Sequence, residues 1–391
     1  MKNIENKKDY LLIKLLLGIA IGVVIGILSN AAVINVVQSI KYVLNQVISF
    51  MVPLIVLGFI APAITRMGNK ANKMLGVMLA LAYLSSVGAA LFSVIAGYAI
   101  IPNLNIASNV AGGKALPEMI FKLDINPLFP VITALFLAIC GGVAIVKTKS
   151  QYFENLLDEL NNIILFLVNN IVVPILPFYI GSTFATLSYE GTIIKSIPIF
   201  LIIIIITIAG HFIWLTVLYT IAGIISKKNP IRVLKHYGPA YFTAVGTMSS
   251  AATLPVALKC AGKSDALDKD IVDFAIPMGA TIHLCGSVLT ETFFVMTISK
   301  ILYGHIPPIG TMILFIILLG IFAVGAPGVP GGTVVASLGI IISVLGFNND
   351  GTALILAIFA LQDSFGTACN VTGDGALALM LQGIFKKDKT S

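Results

Sequence analysis

Apolar residues run along this chain in long blocks, separated by short polar or Gly/Pro stretches. The blocks cover 10–29, 40–63, 74–102, 127–147, 160–187 and 194–225. Each approaches or exceeds the roughly 20 residues a helix needs to cross a bilayer. From Ile197 to Ile225 there is no Lys, Arg, Asp or Glu, and His211 is the only histidine. The pattern predicts six membrane helices. A β-barrel would instead alternate in segments of about ten residues. The first block, Leu11–Leu28, is followed by no small-residue cleavage site and reads as a retained span.

Beyond residue 230 the pattern changes. Segments 237–262 and 310–345 are apolar but broken at their centres, by Gly246-Thr-Met-Ser-Ser-Ala-Ala-Thr-Leu-Pro255 and by Gly325-Ala-Pro-Gly-Val-Pro-Gly-Gly332. Unbroken stretches 271–303 and 351–385 follow them and are long enough to span. Irregular backbone at membrane depth persists only where protein buries it or a wet cavity receives it. Broken helices in matching places of two halves point to a transporter site. We therefore expect two re-entrant hairpins, each followed by a span, as an inverted repeat. Two ordinary spans with Gly/Pro kinks are the alternative.

Charge bears on that choice. With the N-terminus inside and both broken segments re-entering, 18 of the 24 Lys and Arg fall on the inner side. Lys41, Lys114, Lys122, Lys195 and Lys300 fall outside, and Lys14 lies within the first span. This bias is the expected signature of a cytoplasmic face. If each broken segment crossed once, Lys259, Lys263 and Lys269 would move outside. Both termini are thus expected in the cytoplasm, with the chain multi-pass in the plasma (inner) membrane. Composition agrees: 58% of residues are apolar, 10% are charged, and mean hydropathy is +1.02. A soluble domain runs about 45–50% apolar and about 25% charged. The net charge of +7 resides in the short loops, so it calls for no nucleic acid. The four cysteines form no disulfide pattern. The fold class expected is an all-α polytopic membrane protein with eight transmembrane helices and two re-entrant hairpins.

Three carboxylates fall inside apolar stretches: Glu291, Asp363 and Asp374. Ionisable groups at membrane depth are costly and mark function by default. Asp363 and Asp374 are eleven residues apart, close to three helical turns, and Thr367 and Asn370 share their face. That stripe offers oxygen ligands to a hard cation or an ammonium group. A second polar stretch is Gly279-Ala-Thr-Ile-His-Leu-Cys-Gly-Ser287, whose glycines permit unwinding. There His283 and Cys285, with Cys369 as a third, are also candidate metal ligands, against a packing or hydrogen-bonding role.

On these residues the chain resembles the dicarboxylate/amino acid:cation symporters, the glutamate transporter family, along essentially its whole length. Asn370-Val-Thr-Gly-Asp374 preceded by Asp363 is the most specific element. Ser249-Ser-Ala-Ala-Thr-Leu-Pro255 resembles the family's serine-rich tip, Gly328-Val-Pro-Gly331 is identical to its second tip, and Pro277-Met-Gly-Ala-Thr-Ile282 resembles the lead-in to its Asn-Met-Asp-Gly-Thr motif. The resemblance implies a homotrimer and an elevator mechanism. A scaffold (trimerisation) part would comprise 1–73 and 127–190. A mobile transport part would comprise 74–126 and 191–391, with hairpins 237–262 and 310–345. It gives Asp363 to a substrate amino group, Ser250 and Asn370 to its carboxylate, Thr367 to its side chain, and backbone N–H groups of the tips, including Val329, to the same site. Na⁺ would sit at Asn370, Asp374 and carbonyls near Gly279 and His283, with a second site near Thr281 and Ala323–Ala326. No organic cofactor is implied.

The departures carry their own expectations. Gly366 stands where dicarboxylate carriers have an Arg, and Met248 where the first hairpin frequently has one. A second substrate carboxylate would lose its bidentate partner. A small neutral amino acid is expected, with a dicarboxylate as the alternative. His283-Leu-Cys-Gly-Ser287 replaces Asn-Met-Asp-Gly-Thr, which removes two side-chain ligands of a third sodium site near Tyr83, Ser85 and Ser86. Glu291 falls where proton-coupled members carry a glutamate, so Glu291, with His283, is the expected proton site. Otherwise Glu291 stays neutral and His283 hydrogen-bonds a carbonyl. The rival classes are a passive anion pore and an intramembrane enzyme using His283, Cys285 and Glu291.

Overall fold

The computed structural model describes residues 11–68, 73–104, 114–326 and 331–385, and among them there is no strand. The helices are α1 (Leu11–Leu28), α2 (Ala31–Gly68), α3 (Lys73–Ile100), α4 (Val131–Thr148) and α5 (Gln151–Leu167). Next come α6 (Val173–Tyr189), α7 (Thr192–Ser226), α8 (Ile231–Leu234), α9 (Gly238–Thr247) and α10 (Ser250–Ala261). The last are α11 (Lys269–Ile282), α12 (Cys285–Tyr303), α13 (Ile309–Gly325), α14 (Gly332–Ser343) and α15 (Asn349–Phe385). Among the described residues six stretches are long and apolar enough to cross a membrane: Ala31–Thr65, Lys73–Asn103, Gln151–Tyr189, Pro198–Ser226, Lys269–Tyr303 and Asn349–Phe385. Helices α1 and α4 are apolar too, at 18 residues each.

One helix departs from the hydrophobic pattern. Helix α5 begins at Gln151, nine residues before the apolar block at 160. Its first turns carry Glu154, Asp158 and Glu159 beside Tyr152, Phe153 and Leu156, so polar and apolar faces alternate at helical spacing. A single π turn, Val168–Val172, joins α5 to α6 without a break.

Helix α1 lies against α6 at backbone contact. A Cβ on Gly18, Gly22 or Gly26 would come within 2.6 Å of the carbonyl oxygens of Pro177, Gly181 and Ala185 respectively. This ridge of small residues lets dispersion contacts replace side-chain interdigitation, as membrane helices require. Helix α2 packs on α4, α5 and α6. Helix α15 packs on α7, α9, α11 and α12, while α3 packs on α12 and α13. The two groups meet where α2 contacts α13 and α14, and where α15 contacts α1 and α6.

Helix α15 runs through two apolar cores. Ala353–Phe359 belong to one, with residues of α1, α2, α6, α12, α13 and α14. Ala368–Cys369, Val371 and Ala376–Leu381 belong to the other, with residues of α3, α7, α9, α10 and α11. Between them lie Gln362, Asp363, Ser364, Gly366 and Thr367, all buried yet in neither core.

Candidate functional site around the polar middle of α15

Two helix breaks converge on Asp363. The first separates α9 from α10. Met248 there takes φ +52°, a left-handed conformation rare outside glycine, and Ser249 caps α10 by accepting from Ala252 N–H at 3.2 Å. Ser250, the first residue of α10, is buried. The second break ends at Gly331, whose φ of +71° suits glycine and whose N–H donates to Asp363 Oδ2 at 2.7 Å. Asp363, Met248, Gly331 and Val334 line one small cavity with Leu15, Leu176, Leu356 and Ala360. Among the described residues Asp363 is the only charged group in that lining. Val329 lies outside the described residues.

Asp374, on the same face of α15, sits in a different environment. His283 Nδ1 is 2.9 Å from Asp374 Oδ1, and His283 Nε2 is 2.9 Å from Ser85 Oγ. His283 lies at the break between α11 and α12, so this chain of three side chains joins α3, that break and α15. All three are buried. Gly279 backs directly onto the carboxylate: a Cβ there would stand 2.5 Å from Asp374 Oδ1. Gly373 is equally tight against the His283 ring, with 2.8 Å to Cε1.

Asn370 lies between the two aspartates. Its Oδ1 accepts from Gly286 N–H at 2.7 Å and Ser287 N–H at 3.2 Å, while Nδ2 donates to Ser287 Oγ at 2.9 Å. The side chain thus caps α12, a role that its position on the α15 face does not foretell. Gly366 faces the same Ser287, leaving an added Cβ at an ordinary 3.4 Å. Thr367 is buried on the Asp363 side of Asn370. Thr281 is exposed, and its hydroxyl donates to its own helix at Met278 O, 2.7 Å away. Ala326 is buried at the end of α13.

Glu291 lies one further stretch along α12, fully buried. Ser337 of α14 donates to its Oε1, and Oε2 has no partner among the described residues. His211 of α7, which the sequence marked only as an oddity in an apolar run, stands 2.9 Å from Thr290 Oγ1 and 3.1 Å from Gly286 O. Among the described residues no three His, Cys, Asp or Glu converge as metal ligands. A hard cation held here would rest chiefly on carbonyl, amide and hydroxyl oxygens.

The profile of the sodium:dicarboxylate symporter family matches residues 11–384. Excitatory amino acid transporter 3 of Mus musculus is 30% identical over 238 residues, 61% of this chain and 44% of that protein. Excitatory amino acid transporter 1 of Homo sapiens is 28% identical over 242 residues, 61% of this chain and 44% of that protein. The chain spans about half the length of the curated relatives it matches. By name these relatives are amino acid transporters. The chain belongs to the sodium:dicarboxylate symporter family.

Proposed function

We propose that the chain is a secondary active symporter that moves a small neutral amino acid across the plasma membrane, coupled to Na⁺, H⁺ or both. One observation carries the reading: at the meeting of two helix breaks, Asp363 is the sole charge among the described residues of an otherwise apolar lining. An anion there suits an ammonium group, and the lining offers no cation to a second carboxylate. Ser250, Thr367, Asn370 and the tip around Val329 would complete the substrate site, with Gly366, which backs onto Ser287, supplying no cation. The cavity admits no more than about one water in this conformation, so entry requires a hairpin or the facing α1 and α6 to move.

The wider scheme belongs to the same reading. Helices α1, α2, α4, α5 and α6 form a scaffold that assembles as a homotrimer. The remainder, with hairpins α9–α10 and α13–α14, slides as an elevator, and both termini are cytoplasmic. Na⁺ is cargo held by Asp374, Asn370 and carbonyls near Gly279 and His283, with a second site near Thr281. Glu291 carries the proton. In support, α1 and α6 are locked backbone to backbone. Asp374→Asn should abolish sodium-dependent uptake in a protein that still assembles, and unchanged sodium dependence would remove Asp374 from the ion site.

The family description and the names of the relatives favour a second reading, an acidic substrate. Uptake of labelled serine, threonine, alanine, aspartate and dicarboxylates into proteoliposomes, under separate sodium and proton gradients, decides between them. Accumulation of the neutral amino acids with aspartate inert is expected. Tight aspartate binding with serine and alanine inert would reverse the assignment. Identical pH profiles for wild type, Glu291→Gln and His283→Asn, with no proton flux, would end the proton role.

A further inference from the structure

The start of α15 is held by a contact that the site does not use. Lys41 of α2 is 8% exposed, and its Nζ donates to Asp350 Oδ1 at 2.7 Å and to Thr186 Oγ1 at 3.2 Å. Beside it, the Tyr179 hydroxyl is 2.9 Å from Asn45 Oδ1 and 3.2 Å from Asn349 O. The first two residues of α15 are therefore grasped by α2 and α6. Asp350 sits in the first turn of α15, where the helix end also favours negative charge. A lysine this buried within a membrane-length helix is costly to keep and marks function by default.

The position of this contact along the bundle matters. Thr186 follows Ala185, which packs on Gly26 near the end of α1. Asp363 lies thirteen residues beyond Asp350, about 20 Å along the helix, where it shares its cavity with Leu15 near the start of α1. Gly325, at the second break, packs on the Phe59 carbonyl toward the far end of α2. With the start of α1 inside, Lys41 and Asp350 meet at the outer side while Asp363 lies toward the inner side.

We infer that Lys41 is a positioning residue whose ion pair with Asp350 latches the mobile part in its inward position. The inference rests on the two-part reading given above. A slide of α15 outward along α2 and α6 by more than a few ångströms separates Asp350 from Lys41 and Asn349 from Tyr179. The pair then exists in one end state only, and its strength sets how that state is populated.

Spin labels at Val33 of α2 and Ile309 of α13, both exposed, report the relative position of the two parts in the full-length protein reconstituted in lipid. Wild type should give two distances whose weights shift with a sodium gradient. Lys41→Met and Asp350→Asn should move weight to the outward distance by up to about fivefold, the range of a half-exposed pair. The KM for external substrate should fall by the same factor, because more carriers face outward. Lys41→Arg, and Lys41→Asp combined with Asp350→Lys, should restore the wild-type weights. A folding defect would raise KM or abolish uptake and would not be rescued by the swap. Two wild-type distances with unshifted weights in both single variants would overturn the latch alone. A single wild-type distance under every gradient would overturn the two-part reading and the latch with it.

Discussion

Asp363 and Asp374 share a residue type, a helix and a face, and both are almost completely buried, at 4% and 1% exposure. Their partners separate them. Asp374 is gripped by side chains and walled by backbone: His283 holds one oxygen, Ser85 fixes the ring, and Gly279 leaves no gap behind. Asp363 is held by a backbone N–H at a helix break and by the Thr367 hydroxyl one turn along its own helix, and it borders a cavity. Burial alone says that both carboxylates matter. What touches them differs in kind: one carboxylate is built into the framework, and the other borders open space.

The largest expected effect comes from removing the presented charge. Asp363→Asn keeps shape and can still accept from Gly331 N–H, but it offers no anion to an ammonium group. A hydrogen bond to a charged partner contributes about 1.5–3 kcal/mol, so substrate affinity should fall by about ten- to a hundredfold, with detergent-solubilised stability near wild type. Calorimetric titration with the substrate found in the uptake panel measures this. Unaltered affinity would show that Asp363 does not face substrate.

The next contrast uses two glycines. Gly279→Ala forces a methyl against the Asp374 carboxylate at 2.5 Å, whereas Gly366→Ala meets Ser287 at 3.4 Å. Overpacking of the first kind typically costs about 1–3 kcal/mol. Gly279→Ala should lower the melting temperature and displace Asp374, weakening sodium dependence. Gly366→Ala should leave stability within about 0.5 kcal/mol, as unstrained substitutions do, and should leave the uptake ranking of the neutral amino acids unchanged, because its methyl meets Ser287 and not the cavity. Equal thermal shifts in the two variants would mean that the wall behind Asp374 yields, contrary to the comparison.

The part of this arrangement legible in the sequence is the part encoded locally. Gly/Pro clusters interrupt apolar runs, so the breaks at Met248 and Gly331 and the oxygen stripe of α15 are visible without a fold. The family resemblance placed the same residues in order. The partners are another matter. His283 meets Ser85 across 198 residues and Asp374 across 91, and Glu291 meets Ser337 across 46. No periodicity encodes those encounters, which depend on how helices cross. The capping of α12 by Asn370 was hidden for the same reason, since an asparagine on a polar stripe looks like a ligand until its hydrogen bonds are seen. Lys41 looked like an ordinary outer-side charge, because its burial is produced by α6 and α15. The early start of α5 escaped the hydrophobic blocks because its first turns are amphipathic rather than apolar.

A smaller effect than that of Gly279→Ala should come from Ser85, and it tests whether the grip on Asp374 is a chain or a single link. Ser85→Ala removes the hydroxyl that faces His283 Nε2 and leaves the ring with Asp374 and the neighbouring Cys285 thiol. A lost buried hydrogen bond of this kind contributes about 1 kcal/mol. The melting temperature should drop by a few degrees and sodium dependence should soften, because the imidazole has lost its partner at Nε2 and fixes the carboxylate less firmly. Substrate affinity measured at saturating sodium should stay at the wild-type value, since Asp363 is about 16 Å away along the helix by its rise of 1.5 Å per residue. If Ser85→Ala instead reduced affinity as far as Asp363→Asn, the two aspartates would be one site, and the division between a walled carboxylate and a presented one would be lost.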